Sequence, residues 1–171
     1  IDREIKEFKN FDIIINLIAF LDNKTYYNVK YKDLIKSFNA NFLIPFFIIK
    51  KSIKFMKKKR YGRIINCSSI GTKFGGGKTT LTYSFSKHCS EFIPSELRDL
   101  AEKNILINNL KLGVVNTKLH KKIPSKIFSK RVKLIPAKRP AEKKEIIKLI
   151  NFFINQNTYI SSQSINISGG E

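Results

Sequence analysis

The segment from Gly62 to Lys87 constrains the fold more than any other part of the chain. It begins with an apolar run, Arg63 to Cys67, that predicts a short strand. A serine pair, a glycine-rich loop and a predicted helix follow. The helix opens with Tyr83 and Lys87 in a Y-x-x-x-K spacing. Because residues four apart lie one above the other on a helix, we expect both side chains to share one face.

A phenol and an ammonium held close together can carry out proton chemistry. The ammonium of Lys87 favours the phenolate and so lowers the energy of proton loss from Tyr83, whose reference pKa is about 10. A serine at the end of the preceding strand can hydrogen-bond the substrate oxygen that takes or gives the proton.

This arrangement resembles the active site of the short-chain dehydrogenase/reductase family, whose motifs recur here in the family's order. The serine of that family lies at a strand end about one loop before the tyrosine. Ser69 fits this position best, and Ser68 is the neighbour that could be confused with it. The resemblance implies that Tyr83 is the general acid in reduction and the base in oxidation. It also implies that Lys87 lowers the pKa of Tyr83 and holds the nicotinamide ribose, while Ser69 orients the substrate oxygen.

A second family mark follows the first predicted strand. Asp12 to Asn16 is a continuous β-branched run, as expected for a strand buried on both faces of a parallel sheet. The family has Asn-Asn-Ala-Gly at the end of this strand, beside the cofactor. The resemblance therefore places Asn16 and Ala19 next to the cofactor, although Leu17 and Ile18 depart from the motif. A core strand that ends in a turn would explain Asn16 equally well.

Tyr31 to Lys58 reads as one long helix, which Pro45 should kink. Apolar residues recur along it at helical spacing, so one face is predicted to be core or interface. In the family an asparagine of this helix holds a water near the catalytic lysine. Asn41 aligns best, because the aromatic Phe46 follows it as in the family's pattern, and Asn39 is a competitor.

The third mark follows the predicted strand Ile105 to Leu112. The residues after it resemble the family's Pro-Gly turn and the threonine that contacts the nicotinamide carboxamide, with Leu112 in place of the proline. The resemblance implies that Gly113, Val115 and Thr117 contact the cofactor. Losing the proline loosens the turn.

The remaining elements complete an alternation of strands and helices, which predicts an α/β fold. They are a helical tail over Asp2 to Asn10, a helix from Tyr83 to about Glu102 interrupted by Pro94, a basic irregular region over Lys118 to Arg139, a helix over Pro140 to Asn155 and a strand over Ser164 to Ser168 before Gly169 and Gly170. The resemblance implies that the irregular region is a mobile lid over the substrate.

We therefore expect a single domain over residues 1–171 with a Rossmann-like, doubly wound parallel sheet. A complete fold of this type begins with a strand, a glycine-rich turn and a helix that meets the pyrophosphate. No such segment precedes Asp12, and the first residue is Ile1. We expect the chain to be an N-terminally truncated part of a longer domain. As a whole polypeptide it would expose the edge of the strand Asp12 to Asn16 that normally pairs with the missing first strand.

Composition excludes several other classes of protein. The net charge of +20 would ordinarily indicate a nucleic-acid partner. However, the lysines are dispersed over nearly every segment and accompany abundant Asn, Ile and Phe, so compositional bias explains the charge better and we do not expect nucleic acid as a partner. No apolar run approaches the roughly 18 residues of a membrane span. Cys67 and Cys89 have neither disulfide-framework nor metal-ligand spacing, which indicates free thiols and a cytoplasmic protein.

The function that these features predict is an oxidoreductase that uses NAD or NADP. It would transfer hydride between the nicotinamide and a small-molecule carbonyl or alcohol, and the loop after Ser69 resembles that of members acting on sugars. The choice between NAD and NADP stays open, because the residues that read the ribose are absent from the chain. Long helices of this family often pair across a two-fold axis, so the resemblance also implies a homo-oligomer.

Two other functions would each explain part of the sequence. The run from Gly75 to Thr80 is similar to a phosphate-binding loop, but the spacing G-x-x-x-x-G-K-S/T would need a glycine where Thr72 stands. A non-catalytic remnant of the fold that acts as a basic binding protein is the second. The departures at Leu17, Ile18 and Leu112 favour that alternative, and the intact serine, tyrosine and lysine argue against it.

Overall fold

Four parallel strands form one sheet in the computed structural model, which describes residues 10–117 and 124–171. The order across the sheet follows the chain: β1 (Ile13–Asn16), β2 (Gly62–Ser69), β3 (Ile105–Leu112) and β4 (Ser164–Ile167). All three pairings are parallel, so the carboxyl ends of the strands meet at one edge of the sheet. This edge is where open α/β sheets bind their ligands.

Helices cover both faces of the sheet. They are α1 (Tyr31–Phe38), α2 (Ile44–Lys59), α3 (Leu81–Ser90), α4 (Ser95–Arg98), α5 (Ser125–Leu134) and α6 (Lys143–Asn155). Ile64 of β2 packs with Ile49 and Met56 of α2 on one face, and the next residue, Ile65, packs with Phe153 of α6 on the other. This alternation follows from the two-residue period of a strand. The predicted doubly wound parallel sheet is therefore confirmed.

Strand β1 differs from its prediction. It has one strand neighbour, β2, among the described residues, and the side chains of Ile13 and Ile15 are each 39% exposed. Burial on both faces is therefore wrong for β1, because it occupies the edge of the described sheet. The central strands β2 and β3 are buried along most of their length, as their apolar runs require.

The long helix predicted over Tyr31 to Lys58 is present as three consecutive parts. Between α1 and α2 the residues Asn39–Leu43 form a π-helical turn, in which the amide of Ile44 donates to the carbonyl of Asn39. Pro45 has no N–H to donate to the carbonyl four residues earlier. The wider turn therefore accommodates the proline without ending the helix.

Two sequence predictions of helical extent are wrong. The helix predicted from Tyr83 to about Glu102 stops at Ser90, and α4 and a 3₁₀ turn (Asp99–Lys103) follow it, because Pro94 cannot continue the hydrogen-bond ladder. The region predicted to be irregular contains helix α5. Its apolar and basic residues recur three to four residues apart and face a cavity, a pattern that the high lysine content hides in the sequence.

The predicted helical tail over residues 2–9 and the start of the predicted lid, residues 118–123, lie outside the described residues. Within residues 10–117 and 124–171, no helix has the length and apolar character needed to cross a membrane.

Candidate active site

Ser69 lies at the carboxyl end of β2, where the chain leaves the sheet. Its backbone is extended, and its Oγ accepts a hydrogen bond of 3.1 Å from the amide of Gly71. A 3₁₀ turn (Ile70–Phe74) follows and ends at Gly75, whose φ of 70° lies in the left-handed region that favours glycine. The turn carries the chain away from the sheet and leaves Ser69 at the side of an open cavity.

Tyr83 lies in the first turn of α3, across from Ser69. Burial raises the pKa of the Tyr83 phenol above its ordinary value, a hydrogen bond with the Ser69 side chain lowers it, and the nearby Cys67 raises it. The net direction is upward. The phenol therefore holds its proton at neutral pH, which suits a group that donates a proton to a substrate oxygen.

Lys87 lies one helical turn after Tyr83 and is only 2% exposed. Its Nζ donates hydrogen bonds of 2.6 Å to the carbonyl of Ile18 and 2.6 Å to the carbonyl of Cys67. Burial lowers the pKa of Lys87 to about 8, although the proximity of Cys67 and Glu91 raises it. An ammonium has three N–H donors. The acceptors found among the described residues account for two of them, so one is left for a bound group.

The two serines at the end of β2 have separate surroundings. Ser68 is 3% exposed, and its hydroxyl donates to Glu91 at 2.5 Å. Ser69 borders the same cavity as Tyr83. Of the two candidates in the sequence, Ser69 is therefore the one that borders the cavity.

Asn41 is fully buried in the π-helical turn, whereas Asn39 is half-buried on another side of the helix. The Asn41 amide exchanges two hydrogen bonds with the backbone of Phe20, of 2.7 and 3.0 Å. Its Nδ2 also lies 2.9 Å from Ser86 Oγ and 3.2 Å from Ser37 Oγ. These contacts join the helix to α3 and to the loop after β1, so the side chain itself is occupied by protein groups.

The other sequence candidates lie at the ends of β1 and β3. Asn16 is 6% exposed, and its Oδ1 accepts from the amide of Ile18 at 3.1 Å, whereas its buried Nδ2 has no partner among the described residues. Ala19 is exposed and immediately precedes Phe20, whose amide donates to Asn41 Oδ1. This loop also supplies a carbonyl to Lys87, so it adjoins the buried side of the site.

Gly113 follows β3 directly and packs against the chain end of β4. A Cβ at this position would lie 2.8 Å from Ser168 Cα, and the Gly113 amide donates to the Ile167 carbonyl at 2.9 Å. Val115 is 8% exposed and forms a bridge with Ala141. Thr117 is half-buried and is the last residue described before the gap at 118–123. Of these three, Gly113 borders the cavity with Ser69 and Tyr83.

The cavity has a volume of about 720 Å³ and both polar and apolar lining residues. Ser69, Tyr83, the glycine loop and the ion pair of Arg131 with Glu171 are polar. The apolar lining is contributed by Phe74, Leu112, Pro136 and the α5 residues Ile127, Phe128 and Leu134. Small-molecule sites usually have this composition, with an apolar lining and a few polar groups that fix orientation.

The glycine loop differs from a phosphate-binding loop in its hydrogen bonds as well as in its spacing. The amide of Gly76 donates to the carbonyl of Gly71 at 2.8 Å, and the amide of Gly77 donates to Thr80 Oγ1 at 2.7 Å. A phosphate cradle needs such amides free and converging on the anion. The amides of this loop instead close the loop on itself.

Sequence reasoning missed two charged groups, Glu91 near the site and Arg63 at the other end of β2. Glu91, the residue after α3, accepts hydrogen bonds from Ser68 and Thr72 and forms an ion pair with Lys111 of β3. Arg63 is 5% exposed and donates to the carbonyls of Gly62, Asn104 and Asn157. Arg63 and Lys111, the partner of Glu91, are each a charged residue within an otherwise apolar predicted strand. That pattern was the available signal that these charges would be buried and paired.

Comparison with known proteins finds relatives of the whole chain. The model of a family described as enoyl-(acyl carrier protein) reductase matches residues 1–171. The 3-oxoacyl-(acyl-carrier-protein) reductase FabG of Buchnera aphidicola subsp. Baizongia pistaciae is 33% identical over 168 residues, which cover 96% of this chain and 68% of the relative. The protein of the same description from Aquifex aeolicus is 27% identical over 161 residues, which cover 93% and 64%. The chain thus spans about two thirds of the length of these relatives.

A solved structure shows the same fold. It is described as a 3-oxoacyl (acyl-carrier-protein) reductase from Agrobacterium tumefaciens C58 with NADP bound. Its TM-score is 0.85 at 20% identity, and the match covers 99% of this chain and 67% of that chain. At this identity the similarity establishes the arrangement of strands and helices and leaves the substrate open.

Proposed function

Since the chain belongs to the short-chain dehydrogenase/reductase family of NAD(P)-dependent oxidoreductases, we propose that it reduces the 3-oxo group of an acyl thioester. The single observation that carries this proposal is that Ser69 and Tyr83 line the same cavity, with Lys87 buried one helical turn after Tyr83. The curated relatives are described as 3-oxoacyl-(acyl-carrier-protein) reductases, which supports the choice of substrate.

In the proposed reaction these three residues handle one proton. Ser69 donates a hydrogen bond to the 3-oxo oxygen and holds it beside Tyr83, whose phenol gives its proton to that oxygen as it becomes the alcohol. A phenolate remains on Tyr83. The ammonium of Lys87 stabilises this anion until a proton returns from solvent.

The residues around Lys87 fit a nicotinamide cofactor. Lys87 has an N–H donor left over, and the Asn16 Nδ2 is a second buried donor without a partner among the described residues, so both could bind ribose hydroxyls. A reduced nicotinamide, when bound, supplies the hydride that adds to the carbonyl carbon. We propose that the loop holding Asn16 and Ala19 and the segment holding Gly113, Val115 and Thr117 border it, and that Tyr83 also faces it.

Asn41 has a supporting role in this proposal. Its side chain is occupied, but the α-helical donor to its backbone carbonyl would be Pro45, which has no N–H. We propose that this carbonyl holds the water through which the proton returns toward Lys87. The side chain of Asn41 fixes the carbonyl by joining the π-helical turn to Phe20 and Ser86.

The lining of the cavity favours an acyl chain over the sugar substrate that the loop resemblance indicated. A sugar needs hydrogen-bond partners around its ring, whereas α5 and Phe74 contribute hydrocarbon to the cavity apart from Arg131, which is paired with Glu171. An acyl chain needs one polar contact, at its 3-oxo group, and that contact is available from Ser69 and Tyr83.

The test measures oxidation of NADPH and NADH by the full chain with a 3-oxoacyl thioester such as acetoacetyl-CoA. Reduction of NADP⁺ and NAD⁺ with gluconate is measured in parallel. We expect turnover with the thioester and at most about a tenth of that rate with the sugar acid. Turnover with the sugar acid alone would contradict the acyl substrate. No turnover with either, by a chain shown to be folded, would favour the non-catalytic alternative.

We also propose that two copies pair through their long helices. Phe42 of the π-helical turn, Phe46 of α2 and Phe92 after α3 line an apolar groove of about 400 Å³, and Phe92 is 75% exposed. Exposed aromatic clusters of this kind usually mark an interface. Light scattering should give the mass of a dimer or larger, and Phe46→Glu should reduce it to that of one chain.

A further inference from the structure

The carboxylate of Glu91 touches both sides of the segment that carries Ser69. Its Oε1 accepts a hydrogen bond of 2.5 Å from Ser68, the residue before Ser69. The same oxygen lies 2.8 Å from the hydroxyl of Thr72, which is also 2.9 Å from the Ser69 carbonyl and shares its single proton between the two acceptors. One carboxylate oxygen therefore spans the turn in which Ser69 leaves the strand.

Lys111 holds the other oxygen of this carboxylate. Its Nζ lies 3.0 Å from Glu91 Oε2, and the two side chains are 15% and 11% exposed, respectively. Lys111 is the register partner of Ser68 on the neighbouring strand. Because little water reaches the pair, its two charges are weakly screened and direct each other's position more strongly than an exposed pair would.

Glu91 also adjoins α3, the helix that carries the other two candidate catalytic groups, Tyr83 and Lys87. It caps the carboxyl end of α3, four residues after Lys87 and eight after Tyr83. Its backbone carbonyl accepts a hydrogen bond of 2.7 Å from Asn109 of β3. The backbone of this residue is thus tied to the sheet while its side chain is tied to the serine turn.

We propose that the Lys111–Glu91 ion pair is a positioning element that fixes the Ser69 turn relative to Tyr83. This inference rests on the proposed function, because it assigns the pair a role in the reaction of that same site. Neither residue borders the cavity, so the pair acts on a substrate only through Ser69. Misplacing a reacting group by as little as about 1 Å can cost about a hundredfold in rate, so a small displacement of Ser69 is measurable.

The test replaces the pair by apolar residues of similar size, Glu91→Leu with Lys111→Met. Removing both charges together avoids an unpaired buried ion, and such replacements are often neutral for stability. We expect kcat to fall by about tenfold or more with KM changed by less than about threefold, since the lost interaction acts in the transition state.

A second measurement does not depend on turnover. The chain has six tyrosines, so the ¹³Cζ resonance of Tyr83 can be assigned with Tyr83→Phe in protein labelled at tyrosine. Ser69→Ala gives the position of this resonance when the Ser69 hydroxyl is absent. We expect the double variant to move the Tyr83 resonance toward that position at neutral pH.

A matched control is the pair Lys103–Glu102, whose charged atoms lie 3.2 Å apart and whose side chains are more exposed, at 35% and 68%. Glu102→Leu with Lys103→Met should leave both kcat and the Tyr83 resonance unchanged. If Glu91→Leu with Lys111→Met does not fold, Ser68→Ala with Thr72→Val is used instead. This variant keeps the ion pair and removes the two hydrogen bonds from the turn to Glu91. The same resonance shift is expected from that variant.

The outcomes separate the two proposals. An unchanged Tyr83 resonance and unchanged kcat in the folded double variant would overturn the positioning role. A shifted resonance in a chain that turns over no 3-oxoacyl thioester would support the positioning role and count against the proposed function.

Discussion

The Nζ atom of Lys87 lies 2.6 Å from the carbonyl oxygen of Cys67, two residues before Ser69 on the same strand. The lysine is therefore anchored to the strand that delivers the serine as well as to the helix that carries the tyrosine. A third anchor, at 2.6 Å, is the carbonyl of Ile18 in the loop after β1. A buried ammonium with these fixed acceptors has one orientation, so its charge acts at a fixed place in the site.

The pKa of Lys87 gives a prediction about stability. Burial lowers this pKa in the folded protein to about 8 from 10.5, so the unfolded chain binds more protons at the pH values between them. The unfolding free energy should therefore rise with pH in this range. Between about pH 8 and about pH 9 the rise from this group is about 1 kcal/mol.

Urea unfolding of the wild type and of Lys87→Met across this range checks the sign. Only the wild type should show the rise, because methionine does not titrate. The pKa of Cys67 is raised from 9.0 to about 11 in the folded protein, so above about pH 9 this thiol makes the unfolding free energy of both proteins fall as pH rises, and the raised pKa of Tyr83 acts in the same direction. Equal pH dependence in the two proteins would show that Lys87 keeps an ordinary pKa.

Tyr83→Phe should lower turnover by about a hundredfold or more, because the proposed proton donor is removed while the ring is kept. The fold should be retained, since the ring still fills its place in α3. Activity is compared with thermal unfolding of the same sample. Tyr159→Phe is the control, as Tyr159 is 93% exposed. Near wild-type activity in Tyr83→Phe would refute the assignment of the proton donor.

Gly113→Ala should destabilise the protein by about 1–3 kcal/mol through overpacking. The added Cβ would lie 2.8 Å from Ser168 Cα, and backbone atoms cannot move aside as the end of a flexible side chain can. Gly77→Ala is a suitable comparison, because the nearest atom to its Cβ would be Thr80 Oγ1 at 3.7 Å. Denaturant midpoints of the two variants should differ clearly, and equal midpoints would argue against close packing of β3 on the end of β4.

Arg63→Met should cost about 3 kcal/mol or more of unfolding free energy, because three backbone carbonyls lose their buried donor. The guanidinium donates to Gly62, to Asn104 and to Asn157, and it joins β2 to the loops before β3 and after α6. Arg98→Met is the matched control, since Arg98 is exposed and donates to the carbonyl of Ile93 alone in the described contacts. A change of similar size in both variants would contradict the special role of Arg63.

Several elements followed from the sequence because their signals are local. The β-branched runs predicted β1, β2 and β3 to within about two residues at each end, and Ile105–Leu112 was predicted with its observed bounds. The four-residue spacing of Tyr83 and Lys87 placed both on α3. Strand periodicity and helix periodicity depend only on neighbouring residues, so the chain itself carries this information.

The tertiary structure decided the rest. The sequence favoured Ser69 over Ser68 only through the family resemblance, since both end the same strand, and the structure adds that Glu91 takes the hydroxyl of Ser68. The sequence could not foresee the Lys111–Glu91 pair, because the two residues lie 20 positions apart and meet only when β3 pairs with β2 beneath the end of α3. Local propensity determined which segments became strands and helices, whereas the contacts between distant segments determined which polar groups became buried, paired and able to act together.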